Sequence, residues 1–346
     1  MRLLFITQVV DEQDPVLGFV CGWLRAFAKK FSHISAVCLR KGSFSLPENV
    51  SVFSLGKERG GNKLTYAFRF LRFVWRVRRE YDAVFVHMNQ EYILLAGILW
   101  RVWGKKVGFW YNHTAGGVWT NIAMRLAQVI FHTSPYAYTA GTKKSFRMPA
   151  GIDTARFTSI PDVVRAPRSI LYLGRIAPIK GVAILVEAVM QLYRRGVPFF
   201  LTICGRALPR DAEYERKIRT DVAPLVAAGV CRFVPAVPNA ETPALYSGHE
   251  VFVNLTPAGN YDKTVLEAAA CGCIPVVSSL AFRDALPSEL FFRERDSASL
   301  ADTLERVLAL PEERKEAMRV ELRTYVVGIH QLSLLVEKIY ENLLPC

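Results

Sequence analysis

Two hydrophobic periods alternate along the chain. Short continuous apolar runs predict buried strands at 3–10, 35–39, 50–55, 83–87, 106–111 and 129–133. Between most of them, apolar residues recur at helical spacing over 17–31, 64–80, 92–103 and 118–127. The same alternation resumes later, with strands predicted at 169–173, 199–204, 230–234, 251–255, 273–278 and 290–293. Its helices fall at 181–195, 211–227, 264–270, 297–309, 312–325 and 331–343. Strands that alternate with helices of this length build parallel sheets from βαβ units.

Between the two series, Ser, Pro and Asp interrupt both periods over 158–168, so that segment reads as a linker. The pattern predicts two doubly wound α/β domains. One covers 1–157 and is joined by the C-terminal helix 331–346; the other covers 169–325. Open parallel sheets bind ligands beyond the carboxyl ends of their strands. Two such domains facing each other therefore predict a site in the cleft between them.

Composition narrows the class. With 51% apolar and 22% charged residues among 346, the chain is globular, and it carries no repeat or low-complexity tract. The densest apolar stretch, 92–103, is interrupted by Arg101 and falls short of the roughly 20 residues that span a bilayer. The opening apolar run leads at once into Asp11, Glu12 and Asp14, so it reads as a strand and not as a signal peptide. The seven cysteines are an odd number lying mostly in apolar runs, the pattern of reduced thiols in a cytosolic protein. The net charge of +13 belongs to the first half, where residues 1–157 hold 22 Lys and Arg against nine Asp and Glu. Such asymmetry suggests a polyanion or an anionic membrane as partner of that half.

Two segments carry chemistry. In the first, a strand delivers Gly174 and Arg175, a turn follows, and Lys180-Gly181 opens a helix. Two cations and a helix start then aim at one point, an arrangement suited to a diphosphate. Arg175 and Lys180 are equally the kind of charges that decorate any strand end. In the second, a polar loop from Asn254 to Asp262 precedes a helix with Glu267 in its first turns. Backbone N–H groups of Lys263, Thr264 and Val265 are placed to hold phosphate oxygens, and Glu267 to accept the two hydroxyls of a ribose. A capping carboxylate is the alternative role for Glu267.

Together these segments resemble the donor domain of the family-4 glycosyltransferases, whose GT-B architecture is two facing Rossmann-like domains. The resemblance runs over essentially the whole chain but is specific mainly from Leu171 to Val277. It implies that Arg175 and Lys180 bind the diphosphate of a nucleotide sugar and that Glu267 binds its ribose. The family's first motif Glu, eight positions earlier, is Gly259 here. That departure leaves Asp262, three residues on, to meet the donor sugar, or leaves the sugar held differently. By the same resemblance His113, at the end of the strand 106–111, reaches the sugar and the reaction centre, and Gly18 approaches the donor. His87 closes the preceding strand and reads equally as a simple strand-end residue.

Arg69, Arg72, Arg76 and Arg79 recur at three- and four-residue steps and predict one basic helical face. That face suits an anionic membrane surface; it also fits the solvated side of an ordinary βα helix. No nucleic-acid recognition motif accompanies it. D-x-D, H-E-x-x-H, G-x-G-x-x-G and Walker motifs are missing from the sequence. The resemblance implies a metal-independent retaining hexosyltransferase with no cofactor, using a UDP- or GDP-sugar as co-substrate and a glycan or lipid-linked acceptor. It would work in cell-envelope glycan synthesis in the cytoplasm, on or near the inner face of the membrane. Alternatives are a nucleotide-sugar-binding protein without transferase activity, and a phosphorylase or epimerase of the same fold.

Overall fold

Side chains buried on both faces of a strand mark a sheet covered by helices on both sides, and the inner strands of this chain follow that rule. The computed structural model describes residues 1–14 and 16–344, which separate into two units, Met1–Gly151 with Gln331–Cys346 and Ile152–His330. Pro15, Pro345 and Cys346, the last of the seven cysteines, lie outside the described residues.

The first unit begins β1 (Arg2–Val10), α1 (Phe19–Ala28), β2 (His33–Lys41), β3 (Val50–Ser54), α2 (Lys63–Arg76) and β4 (Ala83–His87). It continues α3 (Gln90–Val102), β5 (Lys106–Trp110), α4 (Val118–Leu126), β6 (Val129–His132) and β7 (Ser145–Arg147). The second unit runs β8 (Ser169–Leu173), α5 (Val182–Arg194), β9 (Phe200–Cys204), α6 (Ala212–Ala227), β10 (Cys231–Val234) and α7 (Thr242–Gly248). It closes with β11 (Val251–Asn254), α8 (Lys263–Ala270), β12 (Ile274–Val277), α9 (Ser297–Leu308) and α10 (Glu312–Tyr325). A π-helical turn, Val326–His330, leads to α11 (Leu332–Leu343), which returns to the first unit.

The seven strands of the first unit are ordered β3-β2-β1-β4-β5-β6-β7, and every pairing is parallel. Alternation along β1 sorts its core: Leu3 and Phe5 join Trp23 and Phe27 of α1 and Leu335 and Ile339 of α11. Leu4 and Ile6 join Phe70, Ile93 and Trp100 on the side of α2 and α3. Each such side chain, fully buried, contributes about 1.5–3 kcal/mol. The second sheet, β10-β9-β8-β11-β12, is also parallel, with its order reversing between β8 and β11. Loops leaving the carboxyl ends of β8 and β11 thus share one switch point.

Several expectations need correction. The run 290–293 forms no strand: a 3-10 turn over Ser288–Leu290 takes its first residue, and only a single bridge joins Phe291 to Val277. β7 and α7 escaped the periodicity because three and seven residues show too little of any period. The helix expected over 17–31 starts only at Phe19, since the Asp14 carboxylate takes the N–H groups of Val16 and Leu17 in a tight turn. α2 stops at Arg76, so Arg79 lies in the following turn and not on the helical face expected for it.

Residues 158–168 are held along the second unit by Ile160 N–H to Ser247 Oγ (3.1 Å), Ala166 N–H to Gly248 O (3.0 Å) and Arg165 Nε–H to His249 O (3.1 Å). Their anchor is a buried ion pair between Glu250, at the head of β11, and Lys315 of α10, with side chains 3% and 7% exposed. Arg168 N–H donates to the other Glu250 oxygen at 2.6 Å, and Lys315 Nζ donates to Leu308 O at 3.0 Å. The six described cysteines are free and buried; burial pushes the Cys21 thiol up to about 11 and the Cys38 thiol up to about 12.

Candidate active site

Where β8 ends, the chain stays tied to β9: Gly174 N–H donates to Cys204 O (3.0 Å) and Ile176 N–H to Arg206 O (3.1 Å). The buried Tyr172 hydroxyl donates to Arg175 O at 2.8 Å. Gly205, at φ +146°, sits so close that a Cβ there would lie 1.9 Å from the Gly174 carbonyl oxygen. A 3-10 turn over Pro178–Lys180 then hands over to α5 through Gly181 at φ +65°, a left-handed position that favours glycine. The loop therefore presents Arg175 half-buried, its guanidinium making no hydrogen bond or ion pair with any described residue. Gly205→Ala is expected to push this loop aside and lower stability by about 2 kcal/mol. Urea unfolding checks it, and an unchanged midpoint would mean that the loop yields without cost.

The β11 exit is built by side chains. Buried Asn254 accepts from Thr256 N–H (3.1 Å) and donates to Thr264 Oγ1 (3.3 Å). Pro257 to Asn260 form a tight turn closed by Asn260 N–H to Pro257 O (3.2 Å), with Gly259 at φ +84°. A Glu at 259 would be strained there, which accounts physically for the missing carboxylate. Glu294 accepts from Ala258 N–H (3.2 Å) and Ser279 Oγ donates to Asn260 O (2.7 Å), fixing the turn from outside.

Asp262 then caps α8, with both oxygens fully used. Oδ1 accepts from Thr264 N–H (3.3 Å) and Thr264 Oγ1 (2.9 Å), and Oδ2 from Thr256 Oγ1 (3.1 Å) and Lys180 Nζ (3.0 Å). Burial alone would raise its pKa, but the Lys180 ammonium and these hydrogen bonds outweigh it and hold the carboxyl at about 2. This ion pair joins the two exit loops.

One turn further, Lys263 and Glu267 stand at i and i+4 on α8. Burial pushes the Glu267 carboxyl up to about 7, against the pull of Lys263, and drives the Lys263 ammonium well below its usual range. A carboxylate this perturbed, beside a lysine that burial perturbs as well, at a switch point is the kind of group that binding sites contain.

Arg175, Lys180, Gly174, Asp262, Lys263, Thr264, Val265 and Glu267 therefore lie in the two loops and the helix start that leave one switch point. Two expected roles change. The Thr264 and Val265 N–H groups are taken by Asp262, through its side chain and its carbonyl (3.2 Å), so they are not the phosphate donors anticipated. Asp262 has no free lone pair for a sugar and acts as the holder of Lys180. Sequence reasoning missed Gly205, Thr256 and the packing role of Asn254; a Gly closing a strand next to the G-R loop was the available signal for the first.

His113 and Gly18 belong to the first unit. His113 follows β5, is exposed, and packs its ring against Tyr111 at 5.3 Å. A Cβ on Gly18 would lie 2.7 Å from Asp14 O, so close backbone approach explains the glycine. His87 is buried, with Nδ1 3.3 Å from Thr7 Oγ1 and Trp23 against its ring at 5.5 Å, a packed strand-end histidine. Among the described residues no group of three His, Cys, Asp or Glu side chains is placed to hold a metal ion.

Two parallel-sheet Rossmann-like α/β units of this kind define the GT-B class of fold. Residues 167–310, within the second unit, match the family described as glycosyl transferases group 1. Over 151 residues the chain is 30% identical to a D-inositol 3-phosphate glycosyltransferase of Frankia alni, a match covering 41% of this chain and 37% of that relative. It thus spans well under two thirds of the relative's length. Among solved structures, the Anabaena protein HepE in complex with UDP and glucose superposes with TM-score 0.79 at 16% identity, covering 99% of both chains. The lipopolysaccharide outer core galactosyltransferase WaaB in its apo form superposes with TM-score 0.68 at 15% identity, again over 99% of both. Identities this low speak for the fold alone.

Proposed function

We propose that this chain is a glycosyltransferase that moves a hexose-type sugar from a nucleotide diphosphate sugar to a glycan or lipid-linked acceptor with retention of configuration. The observation that carries the reading is Arg175: a half-buried guanidinium with no counter-ion among the described residues, at the same switch point as Lys180 and Glu267. Binding a diphosphate supplies the missing charge. The UDP and glucose of the HepE structure fit a sugar-nucleotide donor, the name of the Frankia protein fits glycosyl transfer, and that of WaaB fits an acceptor in the cell envelope. The buried free thiols fit a cytoplasmic setting.

In this mechanism Arg175 and Lys180 stabilise the departing diphosphate, replacing the charge that a metal ion supplies in other transferases. Asp262 holds Lys180 in place before the donor arrives. Glu267 accepts the ribose hydroxyls, and His113 aligns the sugar. The diphosphate oxygen takes the acceptor proton on the face from which it leaves.

Because hydroxyl donors need the ionised carboxylate, the donor selects the charged form of Glu267. With a carboxyl at about 7, affinity is expected to be about tenfold weaker at pH 6 than at pH 8. Glu267→Gln should weaken binding and flatten that profile. Calorimetric titration at several pH values checks both, and a pH-independent wild type would remove the ribose role.

The function itself is tested by turnover of labelled UDP-, GDP- and ADP-sugars with and without candidate acceptors. Acceptor-dependent release of the nucleotide supports transfer. Turnover without acceptor points to a phosphorylase or epimerase, and binding without turnover points to a silent nucleotide-sugar-binding protein.

A further inference from the structure

β3 is an edge strand of the first unit, and α2 packs on that edge with Phe73 stacked on Phe53 at 4.2 Å between ring centres. What α2 turns outward differs from an ordinary solvated face. Leu64, Phe68 and Trp75 are 81%, 65% and 54% exposed, at helical spacing, with exposed Arg72 and Arg76 among them. Arg78 lies over the Trp75 ring at 4.9 Å, and Trp75 meets Trp103 at 5.5 Å, at the end of α3, where Val102 is also exposed. Residues 63–126 hold ten Lys and Arg against three Asp and Glu.

The start of the same helix borders a cavity of about 600 Å³ lined by Lys41, Arg59, Arg69 and Arg72, with Phe68 at its wall. Gly56, at φ +92°, leaves room there for Arg69: a Cβ would lie 2.4 Å from its Nη1, which donates to Leu55 O at 2.8 Å. None of these four cations has an ion pair among the described residues. Glu58, the acid of the loop, accepts from Ser54 Oγ at 2.8 Å.

Soluble surfaces scatter large apolar side chains singly. A helix that lines them up between arginines has the pattern of one that lies in a membrane interface. The cavity decides which interface, because four cations beside an apolar wall match a phosphate joined to a hydrocarbon chain. We propose that α2 docks the protein on an anionic bilayer, with Phe68 and Trp75 in the boundary between headgroups and acyl chains and a phospholipid phosphate in the Lys41–Arg59–Arg69–Arg72 cavity. No helix among the described residues is long and apolar enough to cross a membrane, so docking is to the surface. This proposal does not depend on the sugar-nucleotide site.

Flotation of the full chain with phosphatidylcholine vesicles, with and without phosphatidylglycerol, tests it. The protein is expected to float with the anionic vesicles only. Arg72→Gln should weaken partitioning about fivefold, and Phe68→Ser with Trp75→Ser about tenfold or more. All three positions are exposed, so thermal unfolding should stay at the parent midpoint and certify the folded variants. Failure of the parent to float, equal flotation with neutral vesicles, or undiminished flotation of the folded variants would each overturn the proposal. Calorimetric binding of glycerol 3-phosphate, abolished by Arg72→Gln in a protein that ignores vesicles, would overturn it in favour of a soluble phosphorylated ligand.

Discussion

Arg175→Ala is expected to slow sugar transfer by about 100-fold or more and to leave thermal stability near that of the parent. The fold around this side chain predicts the separation. Its loop is shaped by backbone contacts, namely the Tyr172 hydroxyl on Arg175 O and the Gly174 N–H on Cys204 O. The guanidinium itself holds nothing among the described residues. Its truncation therefore removes the charge proposed to face the leaving diphosphate and no structural bond. Lys180→Ala differs, because it also strips Asp262 of its ammonium partner and loosens the cap of α8. A steady-state assay with the sugar nucleotide that the parent turns over decides the matter. Retention of more than about a tenth of parental turnover by Arg175→Ala would contradict a charge-stabilising role of this size, as would a loss confined to donor affinity.

Lys315→Met is expected to destabilise the protein by about 3–5 kcal/mol. It leaves the Glu250 carboxylate buried with the Arg168 N–H as its remaining hydrogen-bond donor among the described residues. The pair ties segment 158–168 to β11 and α10, so its loss also frees the entry into β8. Glu250→Gln combined with Lys315→Met should recover much of the cost, since a burden of unpaired charge is then lifted from the interior. Urea unfolding of the two variants measures both quantities. A loss under about 1 kcal/mol in Lys315→Met would show that the site relaxes or hydrates.

Much of this was legible in the sequence, and the reasons are specific. Continuous apolar runs in 83–87 and 169–173 coincide with β4 and β8 residue for residue, because a strand buried on both faces leaves no polar interruption. The two loops of the site were found because Gly174, Arg175, Lys180 and Glu267 sit at fixed distances from strand ends. What failed was local hydrogen bonding. Nothing in the pattern of residues 262–265 says that Asp262 consumes the amides of Thr264 and Val265, or that it also captures Lys180. Gly259 illustrates the converse: as a substitution it read as a lost ligand, whereas a turn at φ +84° explains it from backbone geometry. The edge between the units was placed late, because Ile152–Phe157 carries no marker that distinguishes the first unit's end from the second unit's beginning.

The central claim is that the β8 and β11 exits of the second unit form one binding site for a sugar-nucleotide diphosphate. Thermal unfolding with a panel of UDP-, GDP- and ADP-sugars tests it most directly. Mass action stabilises the folded form by about 2.7 kcal/mol when a ligand is present at 100 times its dissociation constant. The account predicts that one nucleotide class raises the midpoint of the parent and raises those of Arg175→Ala and Glu267→Gln less at the same concentration. A parent indifferent to every donor, or variants shifted as far as the parent, would contradict it.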